Sequence, residues 1–348
     1  MASRLYFFAF FMVFIIVMLA LDLGLFHKKD HEIKMKEAGI WTIIWVTMAM
    51  GFGLLLFLKA EWVHGISSME DLLERISTTS LRHVIDKGMD YATALEIYRK
   101  EIASQYLAGY FLEESLSIDN IFVMILIFTS FGIDKRYYHR ILFWGILGAI
   151  VLRFIFIFTL GALVTRFSWI LAIFGAFLIF SGFKMIFQND DDEIDTANHP
   201  VVKFASKYFR VTRYGEGHNF LTKIDGKTYM TPLLLVLLVI EFSDVVFAVD
   251  SIPAVFSVTT DTFIVYFSNI FAIMGLRSLF FLFSNVTGLF WMLRYGLGIL
   301  LSFIGFKMLG HELFGFEIST IASLLSILGI LVFSIIGSLL FPQKKKAA

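Results

Sequence analysis

The sequence predicts an all-α polytopic membrane protein of about nine transmembrane helices, with an inverted repeat of three plus three helices at its centre. Three observations predict it. Of 348 residues 58% are hydrophobic, with 41 phenylalanines against four prolines and a mean hydropathy of +0.79, too apolar for a soluble globular chain. Nine apolar runs are each near the 20 or so residues that span a hydrocarbon core. Two stretches of the chain also resemble one another.

The runs lie near 6–26, 40–58, 105–130, 140–162, 168–187, 232–257, 262–283, 288–310 and 318–341. The first begins after only Arg4 and shows no small-residue cleavage site before the polar "HKKDHE", so it reads as a retained helix and not a removed leader. This divides the chain into 1–104, two N-terminal spans with a polar extramembrane segment; 105–187, a first three-helix unit; 188–231, a cytoplasmic linker; 232–310, a second three-helix unit; and 311–348, a last span with a basic tail. With nine helices, one face receives "HKKDHEIKMKE", "DKRYYHR", the linker and the "KKK" tail, roughly twice the basic residues of the other face. That asymmetry places the C terminus in the cytoplasm and the N terminus outside a plasma or bacterial inner membrane.

The repeat is legible residue by residue. "EESLSIDNIFV" from Glu113 lies over "DVVFAVDSIPA" from Asp244 without gaps, matching Glu113 to Asp244, Asp119 to Asp250, Asn120 to Ser251 and Ile121 to Ile252. Further on, "GAIVLRFIF" around Arg153 answers "AIMGLRSLFF" around Arg277, and "SGFKM" ending at Met185 answers "IGFKM" ending at Met308. Each unit holds three helices, an odd number, so one intervening polar loop makes the two units antiparallel. Such inverted repeats are common in secondary transporters, with the site near the midplane where the units meet. The linker's acidic "NDDDEID" reads as a solvated connector.

A carboxylate at mid-bilayer costs about 2.5 to 3.5 kcal/mol on insertion scales. Glu113, Glu114, Asp119, Asp244 and Asp250, with Glu241 near a helix start, outnumber the two mid-helix arginines, Arg153 and Arg277, that could balance them. A rigid ion-pair network is one outcome; the surplus of negative charge points to a bound cation as the other. Glu113 and Asn120 share a helix face, as do Asp244 and Ser251, while Asp119 stands about 120° from Glu113. Either a helix break, for which Pro253 is suggestive, re-aims these acids to one point, or they contribute to different shells; two such helices related by a two-fold axis are expected to bring Glu113, Asp119, Asp244 and Asp250 together.

With no cysteine, disulfides, thiolate ligands and cysteine nucleophiles are excluded, and the histidines fall outside the central spans. Carboxylate, amide and hydroxyl oxygens suit Mn²⁺, Mg²⁺ or Ca²⁺, and ligand chemistry leaves the choice among them open. Zero net charge gives no reason to expect a nucleic-acid partner. There is no Walker motif, "HExxH" or serine triad, so no enzyme activity and no prosthetic group is expected. Lys184 and Lys307 read as snorkelling anchors, Asp22 and His27 as interfacial, His311 with Glu312 as a loop pair.

At "GYFLEESLSIDNIFV", "RILFWGILGAIVLRFIFI", "FGAFLIFSGFKM" and "EFSDVVFAVDSIPAVF" the chain resembles the TerC family of integral membrane proteins over essentially its whole length, and "LDLGLFHKKDHEIKMKEAGIWTIIWV" resembles the Alx-type branch. The resemblance implies a LysE-like three-plus-three fold, a role in manganese homeostasis or tellurite resistance, and Glu113, Glu114, Asp119, Asn120, Glu241, Asp244 and Asp250 as the acidic motif positions. The expected function is Mn²⁺ export by alternating access through these carboxylates, with proton exchange as the natural coupling. The competing reading is a non-transporting membrane partner, a homo-oligomer or secretion-related assembly, that delivers metal to secreted proteins or serves a stress-resistance complex. An intramembrane enzyme has only the carboxylates to recommend it.

Overall fold

The structure is a computed structural model and describes residues 2–24, 35–77, 79–167, 169–187, 199–212, 219–284, 291–316 and 318–341. Its elements in chain order are α1 (Ala2–Gly24), α2 (Met35–His64), α3 (Met69–Ile76), α4 (Tyr91–Ser130), α5 (Tyr138–Arg166), α6 (Ile170–Phe187), α7 (Pro200–Tyr208), β1 (Leu221–Ile224), β2 (Lys227–Met230), α8 (Pro232–Phe256), α9 (Thr262–Ser284), α10 (Leu293–Phe314) and α11 (Thr320–Leu340). Each of the nine apolar runs falls on a helix. Among the described residues, seven helices are long and apolar enough to cross a membrane: α2, α5, α6, α8, α9, α10 and α11. Nine is reached only by counting α4, whose Glu113, Glu114 and Asp119 dilute its apolar run, and α1, whose apolar stretch is Tyr6–Ala20.

Local chemistry sets the ends. Asp90 caps α4 by accepting from the Ala92 and Thr93 amides, and Ser319 caps α11 through the Ala322 amide. Pro232 opens α8, where its missing N–H costs nothing. α2 kinks at Lys59, where the apolar run stops. The break expected at Pro253 does not occur: α8 continues one turn past it and ends at Phe256, and α4 runs unbroken for 40 residues. A proline in the final turn removes only one of the last ladder bonds, which the helix end tolerates.

α9 is the central post, buried at every position from Ile264 to Phe281 and packed by α2, α4 and α5. Two apolar cores form around it. On α4 one core ends at Leu116 and the other begins at Ile121; on α8 the boundary falls between Ile240 and Ala248. Asp119 and Asp244 fall at that boundary, while Glu113 and Asp250 are flanked by residues of the first core. Asp244 stands 12 residues into α8, so about 18 Å along it, near the middle of a 25-residue helix.

α6 and α10 pack antiparallel at backbone distance. A Cβ built on Gly175 would stand 3.1 Å from the Gly305 carbonyl oxygen, and one on Gly182 would stand 2.5 Å from that of Gly298; the reverse contacts are as close. In the register set by "SGFKM" and "IGFKM", Gly182 corresponds to Gly305 and Gly175 to Gly298. That register carries the Gly175–Gly305 contact onto the Gly298–Gly182 contact.

The polar segment after α2 is tied down by ion pairs. Arg99 pairs with Glu61, and Arg75 pairs with Asp261 just before α9. His64 Nε2 lies 2.8 Å from Asp261 Oδ2 and its Nδ1 2.6 Å from the Tyr98 hydroxyl. Within the linker stand α7 and a hairpin, β1 paired with β2, whose Asp225 and Gly226 both take positive φ. The "NDDDEID" cluster, His27, the side chain of Asp22 and the "KKK" tail lie outside the described residues.

Candidate functional site

α4 and α8 present equivalent faces to one another: Glu113, Ser117 and Asn120 on α4, and Asp244, Ala248 and Ser251 on α8, each spaced by four and three residues. All six are buried. α5 drives Arg153 between them, itself 1% exposed. Its Nη1 donates to Glu113 Oε1 and, over 2.6 Å, to Asn269 Oδ1 on α9; its Nη2 reaches Asp244 Oδ1 at 3.5 Å. Asn269 Nδ2 closes the ring by donating to Glu113 Oε2 over 2.9 Å. One guanidinium thus joins α4 and α5 to α8 and α9.

The ring does not satisfy everything near it. Among the described residues, Asp244 Oδ2, Asn120 Nδ2, Ser117 Oγ, Ser251 Oγ and Arg153 Nε are buried without a hydrogen-bond partner. Buried polar atoms are ordinarily paired, so five left unpaired along α4, α5 and α8 stand out. Three of them are oxygens of the kind a hard cation takes.

Asp119 and Asp250 form a second group, turned away from the first as the six-residue spacing requires. They lie near one another, with Arg294 beside Asp119 and Lys184 beside Asp250. Ser181 Oγ donates to Asp250 Oδ1 over 3.0 Å. Lys184, one turn beyond Ser181 on α6, is therefore a neighbour of the site, not only an anchor at a helix end. Lys307, its counterpart on α10, instead neighbours Glu101.

The four central acids are consequently divided, Glu113 with Asp244 and Asp119 with Asp250. Among the described residues no three acidic or histidine side chains are gathered as a preformed metal cage. Glu114 accepts from the Tyr110 hydroxyl, and its Oε1 lies 3.8 Å from where a Cβ on Gly275 of α9 would stand. Glu241 lies one turn before Asp244 against Gly148, where a Cβ would overlap its carboxylate. Glu241 and Asp244 line a small cavity with Gly145, Ala149 and Arg277. Arg277 does not mirror Arg153: its Nη1 meets His139 Nε2 at 2.9 Å. His311 and Glu312 stand 3.8 Å apart in the last turn of α10, not in a loop.

Sequence reasoning missed Asn269, Ser117, Ser181 and Gly148. Asn269 carried a signal, an amide within the apolar "YFSNIFAIMG". Ser117 carried one too, at the centre of the Glu113 to Asn120 stripe. Nothing local marked Gly148 or Ser181.

Residues 98–346 match the model of the integral membrane protein TerC family. The chain is 41% identical over 327 residues to a protein of Salmonella typhi named putative membrane-bound redox modulator Alx, covering 94% of this chain and 91% of that one. The protein of that name from Escherichia coli (strain K12) is also 41% identical, covering 94% and 92%. The chloroplastic thylakoid membrane protein TERC of Arabidopsis thaliana is 43% identical over 246 residues, 71% of this chain and 62% of that one. No solved structure matches.

Proposed function

We propose that this chain, which belongs to the TerC family of integral membrane proteins, is a secondary transporter that carries a hard divalent cation, Mn²⁺ foremost, out of the cytoplasm by alternating access. The observation that carries the reading is the set of acids inside the apolar helices α4 and α8, Glu113 and Asp244 buried and Asp119 and Asp250 half-buried. Acids in that position are expensive unless they serve an ion or a proton. The unpartnered oxygens of Asp244, Ser117 and Ser251 supply ligands that a purely structural network would not leave idle.

The antiparallel seam of α6 and α10 supports two three-helix units in opposite orientation, α4–α6 and α8–α10, with the acids at their contact. Rocking of one unit against the other would expose the acids first to one side, then the other. Exchange of the ion for protons fits carboxylates that must not be left as bare charges in lipid. The choice of manganese rests on the family resemblance, and the orientation, C terminus in the cytoplasm, on the distribution of Lys and Arg.

The relatives' name speaks of redox modulation. In this chain, which has no cysteine, a thiol–disulfide route is closed, and a redox effect would follow from control of a redox-active metal. The alternative reading, a membrane partner that hands metal to secreted proteins, predicts binding without flux.

The deciding experiment is Mn²⁺ flux into proteoliposomes, beside Ca²⁺, Mg²⁺ and Zn²⁺, for the wild type and for Asp119→Asn and Asp250→Asn, with a pH dye inside. Flux lost in both variants while insertion is kept supports the transporter, and a pH change in step with flux supports proton exchange. Unchanged flux in either variant would sink the assignment of these acids; binding with no flux would favour the delivery partner.

A further inference from the structure

We infer that the Arg153 guanidinium is a tethered cation, holding the place of a divalent ion between Glu113 and Asp244 and withdrawing from Asp244 when the ion enters. This rests on the transport reading above and adds to it the device that offsets part of the empty carrier's negative charge.

The hold on Asp244 is weak where the hold on the rest of the ring is strong. Arg153 donates to Glu113 and to Asn269 at short range, yet reaches Asp244 through one nitrogen at 3.5 Å. A permanent arginine–carboxylate clamp is ordinarily bidentate. Here Asp244 Oδ2 has no partner among the described residues, although Asp244 is only 3% exposed. Ser117 Oγ, 1% exposed and one turn from Glu113 on α4, is also without a partner among the described residues. Glu113 and Asp244 thus make a two-carboxylate site whose cation is a side chain.

Charge makes the two cations exclusive. Glu113, Asp244 and Arg153 sum to about one negative charge. A divalent ion added beside the guanidinium would place two like-signed cations a few ångström apart at low dielectric, where repulsion is severe. Arginine stays protonated in proteins, so it can leave only by moving. Asn269 Oδ1, at 2.6 Å, gives it a neutral acceptor to keep while it releases Asp244. The exchange is thus of position: ion in, guanidinium off; ion out, guanidinium back.

The test is Mn²⁺ binding by the full chain in detergent, read from loss of the free-ion electron paramagnetic resonance signal, for the wild type, Arg153→Lys and Arg153→Gln. A tethered competitor predicts that Arg153→Gln binds Mn²⁺ about tenfold tighter or more, within the range that coupled sites show. Arg153→Lys, which lacks the fork needed to hold three partners, falls between. If Arg153→Gln does not accumulate, Arg153→Lys decides by the sign of its shift. A purely structural clamp predicts weaker or unchanged binding in both variants, and either result overturns the proposal while leaving the transport reading intact. Failure of all three proteins to take up Mn²⁺ overturns both. A silent wild type beside a binding Arg153→Gln supports it.

Discussion

Gly305 lies against the carbonyl oxygen of Gly175 so closely that a Cβ on Gly305 would stand 2.5 Å from it. The contact allows α6 and α10 to approach with their backbones, as small residues do in membrane helix pairs. Gly305→Ala is expected to force the helices apart at an overpacking cost of about 1–3 kcal/mol. Thermal unfolding in detergent checks this, with Gly329→Ala, whose Cβ would meet nothing within 4 Å, as the neutral control.

Asn269 is the one uncharged member of the ring and serves both of its charges, accepting from Arg153 and donating to Glu113. Asn269→Ala leaves a buried carboxylate oxygen without that donor, at about 1–3 kcal/mol. Lower thermal stability together with reduced Mn²⁺ flux is expected; flux equal to the wild type would show that the amide only packs.

Gly148 makes room for Glu241. A side chain at 148 would occupy the space of the carboxylate, which lines the same cavity as Asp244. Gly148→Ala should slow flux about as much as Glu241→Gln does, and Gly148→Ala in the Glu241→Gln background should add little, the non-additivity expected of neighbours. Parallel flux assays of the two single variants and the double variant measure it.

His199 opens α7 and meets the Phe242 ring edge-on at 6.2 Å on α8. Partial burial lowers its pKa from the ordinary 6.5. The docked form therefore binds a proton less readily than the free form, so docking is fully supported above pH 6.5 and weakens as pH falls below it. Amide hydrogen exchange of α7 should quicken, after correction for intrinsic rates, between pH 7.5 and pH 5.5. His199→Phe should remove that dependence.

The helices and their order were legible because hydropathy and capping are local: nine apolar runs became nine helices, and the Glu113 to Asn120 and Asp244 to Ser251 stripes predicted the faces that α4 and α8 turn inward. The Pro253 break was misread because a proline's effect depends on how much helix follows it, and only one turn does. Spacing and the repeat also led to the expectation that the four acids gather together. The structure divides them, since two unbroken helices cannot aim residues 120° apart at one place.

By itself, then, the sequence determined the helical, polytopic membrane class and the family. Only the tertiary structure decided which acid meets which base. Arg153 finds Asn269 across 116 residues and Asp244 across 91, while Arg277, at the matching place in the repeat, finds His139. The physical reason is that hydropathy and helical period fix the direction a side chain faces along its own helix. What it touches there depends on packing between helices distant in the chain, and that packing was set in part by glycines such as Gly148, Gly175 and Gly305, whose sequence signal is only the absence of a side chain.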